Sequence, residues 1–197
     1  MPTQRRQGSN PPPIMAVSTS LKAAHSASRA LLQLAVECVA PIYPSIDLLD
    51  LSAHDLPMFA GSDPRTSATL TPLLQRVTDC GGLLLSVPCY WRGVSGVFKN
   101  FVDVLCGQAY DLESQTTVFS GKPVALIVVG ADAASARDGR ADAERVLGAV
   151  GAELVGETVV VTEPRTVPIP ASTPGDVTRL AALLARAALV GGSRDDA

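Results

Sequence analysis

Three short stretches of this 197-residue chain concentrate the side chains able to do chemistry: STSLKAAHSAS at 18–28, PCYWRGVSG at 88–96 and GADAASARDG at 130–139. The first carries Ser18, Thr19, Ser20, Ser26 and Ser28, with Lys22 among them, just ahead of a helix. Hydroxyls, N–H groups and the positive end of a helix dipole together suit a phosphate. A serine-rich helix cap with no ligand would use the same residues. The stretch has neither GxxxxGK[ST] nor GxGxxG, which argues against a Walker nucleotide site and a Rossmann dinucleotide site.

The second stretch places Tyr90 and Trp91, two of eight aromatic residues, at the end of an apolar run. Aromatic side chains and backbone amides on a rigid strand end can form one wall for a flat heterocycle. A satellite core or a subunit contact is the competing use of such aromatics. Arg92 is either a solvated charge or a contact for an anionic group. In the third stretch Gly130 and Ala131 close another strand-like run.

Little else competes. The four cysteines form no CxxC pair and the chain has two histidines, so no metal is expected. Cys38 and Cys106 read as small apolar fillers on helices. No carboxylate pair, Ser/His/Asp set or Cys/His set stands out, and His25 and His54 read as loop residues. Lys99 and Asp103, four apart on a helix, read as a surface ion pair.

The elements that must hold these stretches follow from hydrophobic period. Strand-like runs at 14–18, 45–51, 82–87, 123–130 and 153–161 alternate with helical segments. The first helix spans 26–39, with Ala30, Leu31, Leu34, Ala35 and Cys38 on one face. A Pro-, Gly-, Ser- and Asp-rich loop at 52–67 precedes a second, capped by Thr71 with Pro72 in its first turn. The third puts Val94, Phe98, Phe101, Val102 and Leu105 on one stripe while Lys99, Asn100 and Asp103 face elsewhere. A fourth runs to about residue 150. Thr173 caps the fifth, Pro174 opens it, and it ends at Gly191-Gly192. Uninterrupted runs such as Leu83-Leu84-Leu85 indicate strands buried on both faces, hence an α/β fold whose parallel sheet carries helices on both sides. In such sheets ligands bind outside the carboxyl ends of the strands, where all three stretches lie.

Bulk properties bound the rest. A length of 197 residues with 47% hydrophobic and 18% charged residues fits one globular domain, assigned to 13–192. Residues 1–12 read as a disordered leader and 193–197 as a flexible tail. A net charge of -3 and the lack of a long basic run argue against nucleic acid and anionic lipid as partners. No apolar stretch reaches the roughly 20 residues of a membrane span or forms a signal peptide, so no membrane is expected and the cytoplasm is the default location.

PCYWRGVSGVFKNFVD resembles the PxYxxxxSGxxKxxxD segment of the NADPH-dependent FMN reductase family, with Pro88, Tyr90, Ser95, Gly96, Lys99 and Asp103 in register. That family consists of flavodoxin-like flavoproteins and includes alkanesulfonate-system flavin reductases and quinone and azo reductases. The likeness reaches back to the first stretch, similar to GSxRxxSxS, and forward through GKPVALIVVG to GAVGAELVGETVVV, covering about residues 13–162. Thr19 replaces the family's first-loop Gly, and Lys22 replaces its Arg, so a planar fork becomes a point charge. Gly130-Ala131 replaces its Gly-Gly.

The resemblance implies a flavodoxin-like, doubly wound, five-stranded parallel sheet with helices on both faces. It implies FMN as cofactor, with its phosphate on Ser20, Lys22, Ser26 and Ser28 in the loop that begins at Ser18. The isoalloxazine would lie against Pro88, Cys89, Tyr90 and Trp91, with Gly130 and Ala131 near its pyrimidine edge. NADPH or NADH would deliver hydride, and flavin, a quinone or another small molecule would receive it near Trp91 and Arg92. No protein residue is assigned the hydride chemistry, which the cofactor carries. A homodimer or homotetramer is implied, and a flavin-dependent monooxygenase is a partner consistent with free flavin as acceptor. The alternatives are a tailoring oxidoreductase dedicated to one biosynthetic intermediate and a flavodoxin-like electron carrier, although carriers are usually more acidic than this chain.

Overall fold

The structure, a computed structural model, describes residues 11–22, 26–61, 63–113, 115–162 and 170–191. Most of the expected leader, the tail at 193–197 and His25 lie outside the described residues. Pro11 and Pro12, read with the leader, are described, and the Pro12 carbonyl accepts the hydroxyl of buried Tyr43.

Seven strands form one sheet: β1 Ile14–Ser18, β2 Ile46–Asp50, β3 Gly82–Tyr90, β4 Gly93–Val94, β5 Pro123–Gly130, β6 Glu153–Leu154 and β7 Val159–Thr162. The order is β2-β1-β3-β5-β6, with β7 also on β5 and β4 on β3. All pairings are parallel except β3 with β4. The helices are α1 Ala27–Val39, α2 Leu70–Asp79, α3 Gly96–Cys106, α4 Ala133–Ala149 and α5 Thr173–Gly191.

Residue parity explains why the central strands are apolar throughout. Met15, Val17, Leu83, Leu85, Val124 and Leu126 face one core, with Val77 of α2, Phe98 and Phe101 of α3 and Leu147 of α4. Ile14, Ala16, Leu84, Ala125 and Ile127 face the other, with Leu32 of α1 and Leu184 of α5. Alternate side chains of a strand point to opposite faces, so a strand covered on both sides must be apolar at both parities. The chain steps from β1 outward to β2, then crosses back to β3 and continues in the opposite direction. The carboxyl ends of β1 and β3 therefore flank the switch in strand order, where a doubly wound sheet opens a crevice.

Local differences from the sequence expectations have identifiable causes. β3 continues past residue 87 to Tyr90, because β1 stops pairing with it at Ser86 while β5 pairs on through Cys89. Pro88 thus sits where one side of the strand has lost its parallel neighbour, and its missing N–H breaks no ladder there. The expected strand at 153–161 is two, β6 and β7, because the edge carries two more residues than β5 between the paired segments, and Gly156 turns there with φ +68°. Thr71 does not cap α2: the helix starts at Leu70, the Ser67 hydroxyl accepts from Leu70 N, and the Thr71 hydroxyl donates back to the Ser67 carbonyl at 2.7 Å. Thr173 lies within α5, not before it. The buried stripe of α1 is Ser28, Leu31, Leu32, Ala35 and Val39, leaving Ala30 exposed and Cys38 half-buried. Among the described residues no helix is long and apolar enough to cross a membrane.

Candidate functional site

The turn after β1 is tied down by Thr19, whose N and Oγ1 both donate to the Ser86 carbonyl, at 3.2 and 3.0 Å. Ser86 in turn donates its hydroxyl to the Ser28 carbonyl at 2.7 Å, pinning the first turn of α1 to β3. On this frame Ser26 caps α1 by accepting from Arg29 N, and its hydroxyl lies 3.0 Å from those of both Ser20 and Ser28. Ser20 also accepts from Lys22 N at 3.3 Å. Three of the sequence-derived serines thus form one chain of hydroxyls at the start of a helix, with Lys22 exposed at its edge. Such hydroxyls can rotate their protons toward an anion that replaces one of their mutual bonds. Ser18 is 1% exposed, and its hydroxyl has no hydrogen-bond partner. A buried orphaned hydroxyl calls for a polar partner, which the described residues do not supply.

The second stretch meets the first. The Lys22 ammonium stands 5.5 Å from the centre of the Tyr90 ring, within cation–π range. Ser95 links them again: its hydroxyl caps α3 by accepting from Phe98 N, and it reaches toward the Thr19 carbonyl at 3.4 Å. Tyr90 is 37% exposed and Trp91 96%. β3 and β4 are joined by a two-residue turn whose central residues, Trp91 and Arg92, both have positive φ, +51° and +65°. That is the backbone sense of a tight hairpin turn, normally given to Asn or Gly.

Two residues of this stretch meet α4. The Cys89 side chain is buried beneath α4, where a β-carbon added at Gly139 would lie 2.4 Å from Sγ. Burial, with a smaller push from Asp142, raises this thiol to about 12, so Cys89 offers the strand end its backbone and not a thiol. Arg92 is bound to α4: Nε donates to Asp138 Oδ2 at 2.6 Å and its backbone N to Ser135 Oγ at 3.2 Å. Hydrogen bonds from Arg137 and then Arg92 hold the Asp138 carboxyl below its ordinary range.

The third stretch joins through backbone. Ala131 N donates to the Cys89 carbonyl at 3.1 Å, and Gly130 pairs with Cys89 across the sheet. A β-carbon at Gly130 would lie 2.4 Å from Ala136 N, so the first turn of α4 seats on a residue that must be glycine. Ala131 is exposed at the rim.

Sequence reasoning missed the residues that hold the site rather than line it. Ser86 was legible as a lone hydroxyl inside LLLSV. Arg29, one turn into α1, bonds Asp50 at the carboxyl end of β2 at 2.6 Å and Ser52 at 2.8 Å, a pair separated by 21 residues that no local pattern signals. Asn100, expected off the apolar stripe of α3, is buried and holds the 57–59 segment through Pro57 O and Phe59 N, both at 2.9 Å. Lys99 and Asp103 form the expected ion pair at 2.6 Å.

Comparison with known proteins places this arrangement. An NADH:FMN oxidoreductase in its apo form is 16% identical, over 90% of this chain and 88% of its own, with a TM-score of 0.68. FerB, a flavoenzyme NAD(P)H:(acceptor) oxidoreductase from Paracoccus denitrificans, is 19% identical over 88% and 97%, with a TM-score of 0.61. An archaeal flavodoxin is only 8% identical but covers 89% of this chain and 98% of its own at a TM-score of 0.62. At such identities these likenesses establish the flavodoxin-like fold. The model of the NADPH-dependent FMN reductase family matches residues 12–165, all three stretches included. This chain therefore belongs to the NADPH-dependent FMN reductase family, and it is an NAD(P)H-dependent flavin oxidoreductase that works with FMN.

Proposed function

We propose that the protein binds FMN with its phosphate at Ser18, Ser20, Lys22, Ser26 and Ser28 and its ring beside Pro88, the Cys89 backbone, Tyr90, Trp91, Gly130 and Ala131. In this reading it passes hydride from NADPH or NADH to a small acceptor such as free flavin or a quinone. The observation that carries the reading is the 5.5 Å approach of Lys22 to the Tyr90 ring, which brings the end suited to a phosphate against the end suited to a flat ring. The buried, unpartnered hydroxyl of Ser18 supports it independently.

Bound FMN supplies hydride acceptance and hydride donation; the protein supplies orientation and electrostatics. The hydroxyl chain and the start of α1 meet the phosphate with donors, and Lys22 adds a positive charge without the bidentate geometry of an arginine. The ends of β3 and β5 offer rigid backbone to the ring's polar edge, and Tyr90 with Trp91 offers apolar face. Neither Cys89, whose thiol is buried, nor Arg92, which is paired to Asp138, takes part in chemistry.

The same reading places the enzyme in the cytoplasm as a homodimer or homotetramer. Met58, Phe59, Tyr110 and Leu112 are exposed on neighbouring parts of the surface, and Phe59 lies against Gly107. Such apolar exposure is typical of a subunit contact. Where the acceptor is free flavin, a flavin-dependent monooxygenase would consume the reduced product.

The test is a flavin titration followed by anaerobic reduction. FMN is expected to bind more tightly than riboflavin, and Lys22→Ala to erase most of that difference. NADPH or NADH should then bleach the bound flavin without a second protein. Equal affinities for FMN and riboflavin, or a flavin that stays oxidised with both nucleotides, would refute the reading.

A further inference from the structure

We infer that Asp138 and Ser135 of α4 are positioning residues: acting through Arg92, they hold the backbone of Trp91 so that its indole forms a platform that selects flat aromatic acceptors. The inference rests on the function just proposed.

The Trp91-Arg92 turn is costly as built. Both residues occupy left-handed backbone that L side chains rarely adopt, and neither is the Asn or Gly that such a turn prefers. The Trp91 side chain, 96% exposed, gains nothing from the fold in return. Strained backbone persists where its surroundings over-determine it, and here they can be named. Arg92 N is fixed by the hydroxyl of Ser135, itself completely buried and donating to Asp132 Oδ2 at 2.9 Å. Ser135 N donates to Asp132 Oδ1 at 2.7 Å, so one aspartate both caps α4 and steadies the anchor of the turn. The Arg92 guanidinium is fixed by Asp138 Oδ2, while Asp138 Oδ1 accepts from Arg137 at 2.9 Å. α4 itself is seated on β3 by the close packing of Gly139 over Cys89. Trp91 therefore stands on a turn fastened to the helix beside the ring site, although its own ring touches nothing.

The chemistry of this platform defines its guest. An indole face favours stacking against a planar ring and has one N–H to give a polar edge. Arg92 is already engaged by Asp138, which also pairs with Arg137, so recognition of a guest on this platform falls to the indole. A bicyclic quinone fits this description and ferricyanide, compact and anionic, does not.

Trp91 is the only tryptophan, so emission excited selectively at tryptophan, apart from that of the three tyrosines, reports this turn. The experiment compares FMN-loaded wild type, Trp91→Ala, Asp138→Asn and Asp138→Glu, using NADPH as donor and menadione or ferricyanide as acceptor. Far-UV circular dichroism and the urea midpoint serve as the checks that each variant folds, because Trp91 is itself proposed to lie beside the FMN ring. The ratio of kcat/KM for menadione to that for ferricyanide is expected to fall about tenfold in Trp91→Ala, through KM for menadione, the magnitude of one lost stacking contact. Asp138→Asn should lower it several-fold and reduce Trp91 fluorescence anisotropy, and Asp138→Glu should recover part of both. An unchanged ratio in folded Trp91→Ala, measured at saturating FMN, overturns the inference and leaves the proposed function standing so long as wild type binds FMN and is bleached. Unchanged anisotropy and ratio in Asp138→Asn overturn the positioning role. Failure of wild type to bind FMN or to be bleached overturns the function and the inference with it.

Discussion

Gly139 of α4 lies directly over the side chain of Cys89 in β3, so close that a β-carbon at 139 would stand 2.4 Å from Cys89 Sγ and 2.5 Å from its Cβ. Two opposed effects bear on Gly139→Ala. Alanine in a helix interior gains about 1 kcal/mol over glycine. Overpacking against a fixed strand costs about 1–3 kcal/mol, and the Cys89 Cβ cannot rotate away. The clash wins, and urea unfolding is expected to show a net loss of about 1 kcal/mol or more. Cys89→Ala in the same chain removes Sγ but leaves Cβ, so it should restore part of the loss. Purely additive effects of the two substitutions would mean that the helix does not sit on this cysteine.

A second prediction concerns the hydrogen bond from Ser86 Oγ to the Ser28 carbonyl, 2.7 Å long and wholly buried. Ser86→Ala removes the only side-chain tie between β3 and the first turn of α1 among the bonds described. Its expected cost in stability is about 1 kcal/mol. Because Ser28 belongs to the hydroxyl chain, FMN affinity should also fall several-fold, and riboflavin affinity should fall less. A loss of stability with unchanged FMN affinity would show that the tie serves the fold and not the cradle.

Asn100 offers a third test. Its Oδ1 accepts from Phe59 N and its Nδ2 donates to Pro57 O, so it stands in for a strand partner to a segment that has none. Asn100→Ala strands two backbone groups and should cost about 1–3 kcal/mol. Asn100→Asp is more informative, because an ionised carboxylate presents an acceptor to the Pro57 carbonyl, whereas a protonated one can still donate. The aspartate variant should therefore be cleaved faster than wild type by proteases around residues 55–61 at pH 7, and the difference should shrink at pH 4.

These residues also show what could be read in advance. A parallel sheet covered on both faces was legible because apolar runs at both parities have few other uses, its doubly wound order came only with the family resemblance, and the candidate site was legible as a set of strand-end loops with unusual composition. What the pattern hides are choices made by distant partners. Pro88 reads as a strand end, yet β3 runs on because β1 has already stopped pairing. Gly156 is silent in a hydropathy profile but breaks the edge strand in two. Cys89 and Arg92 have the right types for ligand contacts, and only the packing of α4 shows that one is covered and the other is bound to Asp138.

The same covering by helices gives a prediction for the thiols. Cys80, Cys89 and Cys106 are buried and Cys38 is half-buried, 3.1 Å from the Thr178 hydroxyl. Burial raises all three buried thiols, Cys89 and Cys106 to about 12. Only thiolates react with a disulfide reagent, so at pH 8 the native protein should show one accessible thiol and the other three should appear only on unfolding. Linkage fixes the sign of the pH effect. The folded state keeps protons on these thiols where the unfolded chain gives them up, so their contribution is fully present below the ordinary thiol range. It declines as pH rises from that range toward about 12. The urea midpoint should consequently fall between pH 8 and pH 10.5, less steeply in Cys106→Ala. A midpoint that stays level, or a second thiol reacting quickly in the native protein, would mean that α3 and α4 do not cover the sheet as described.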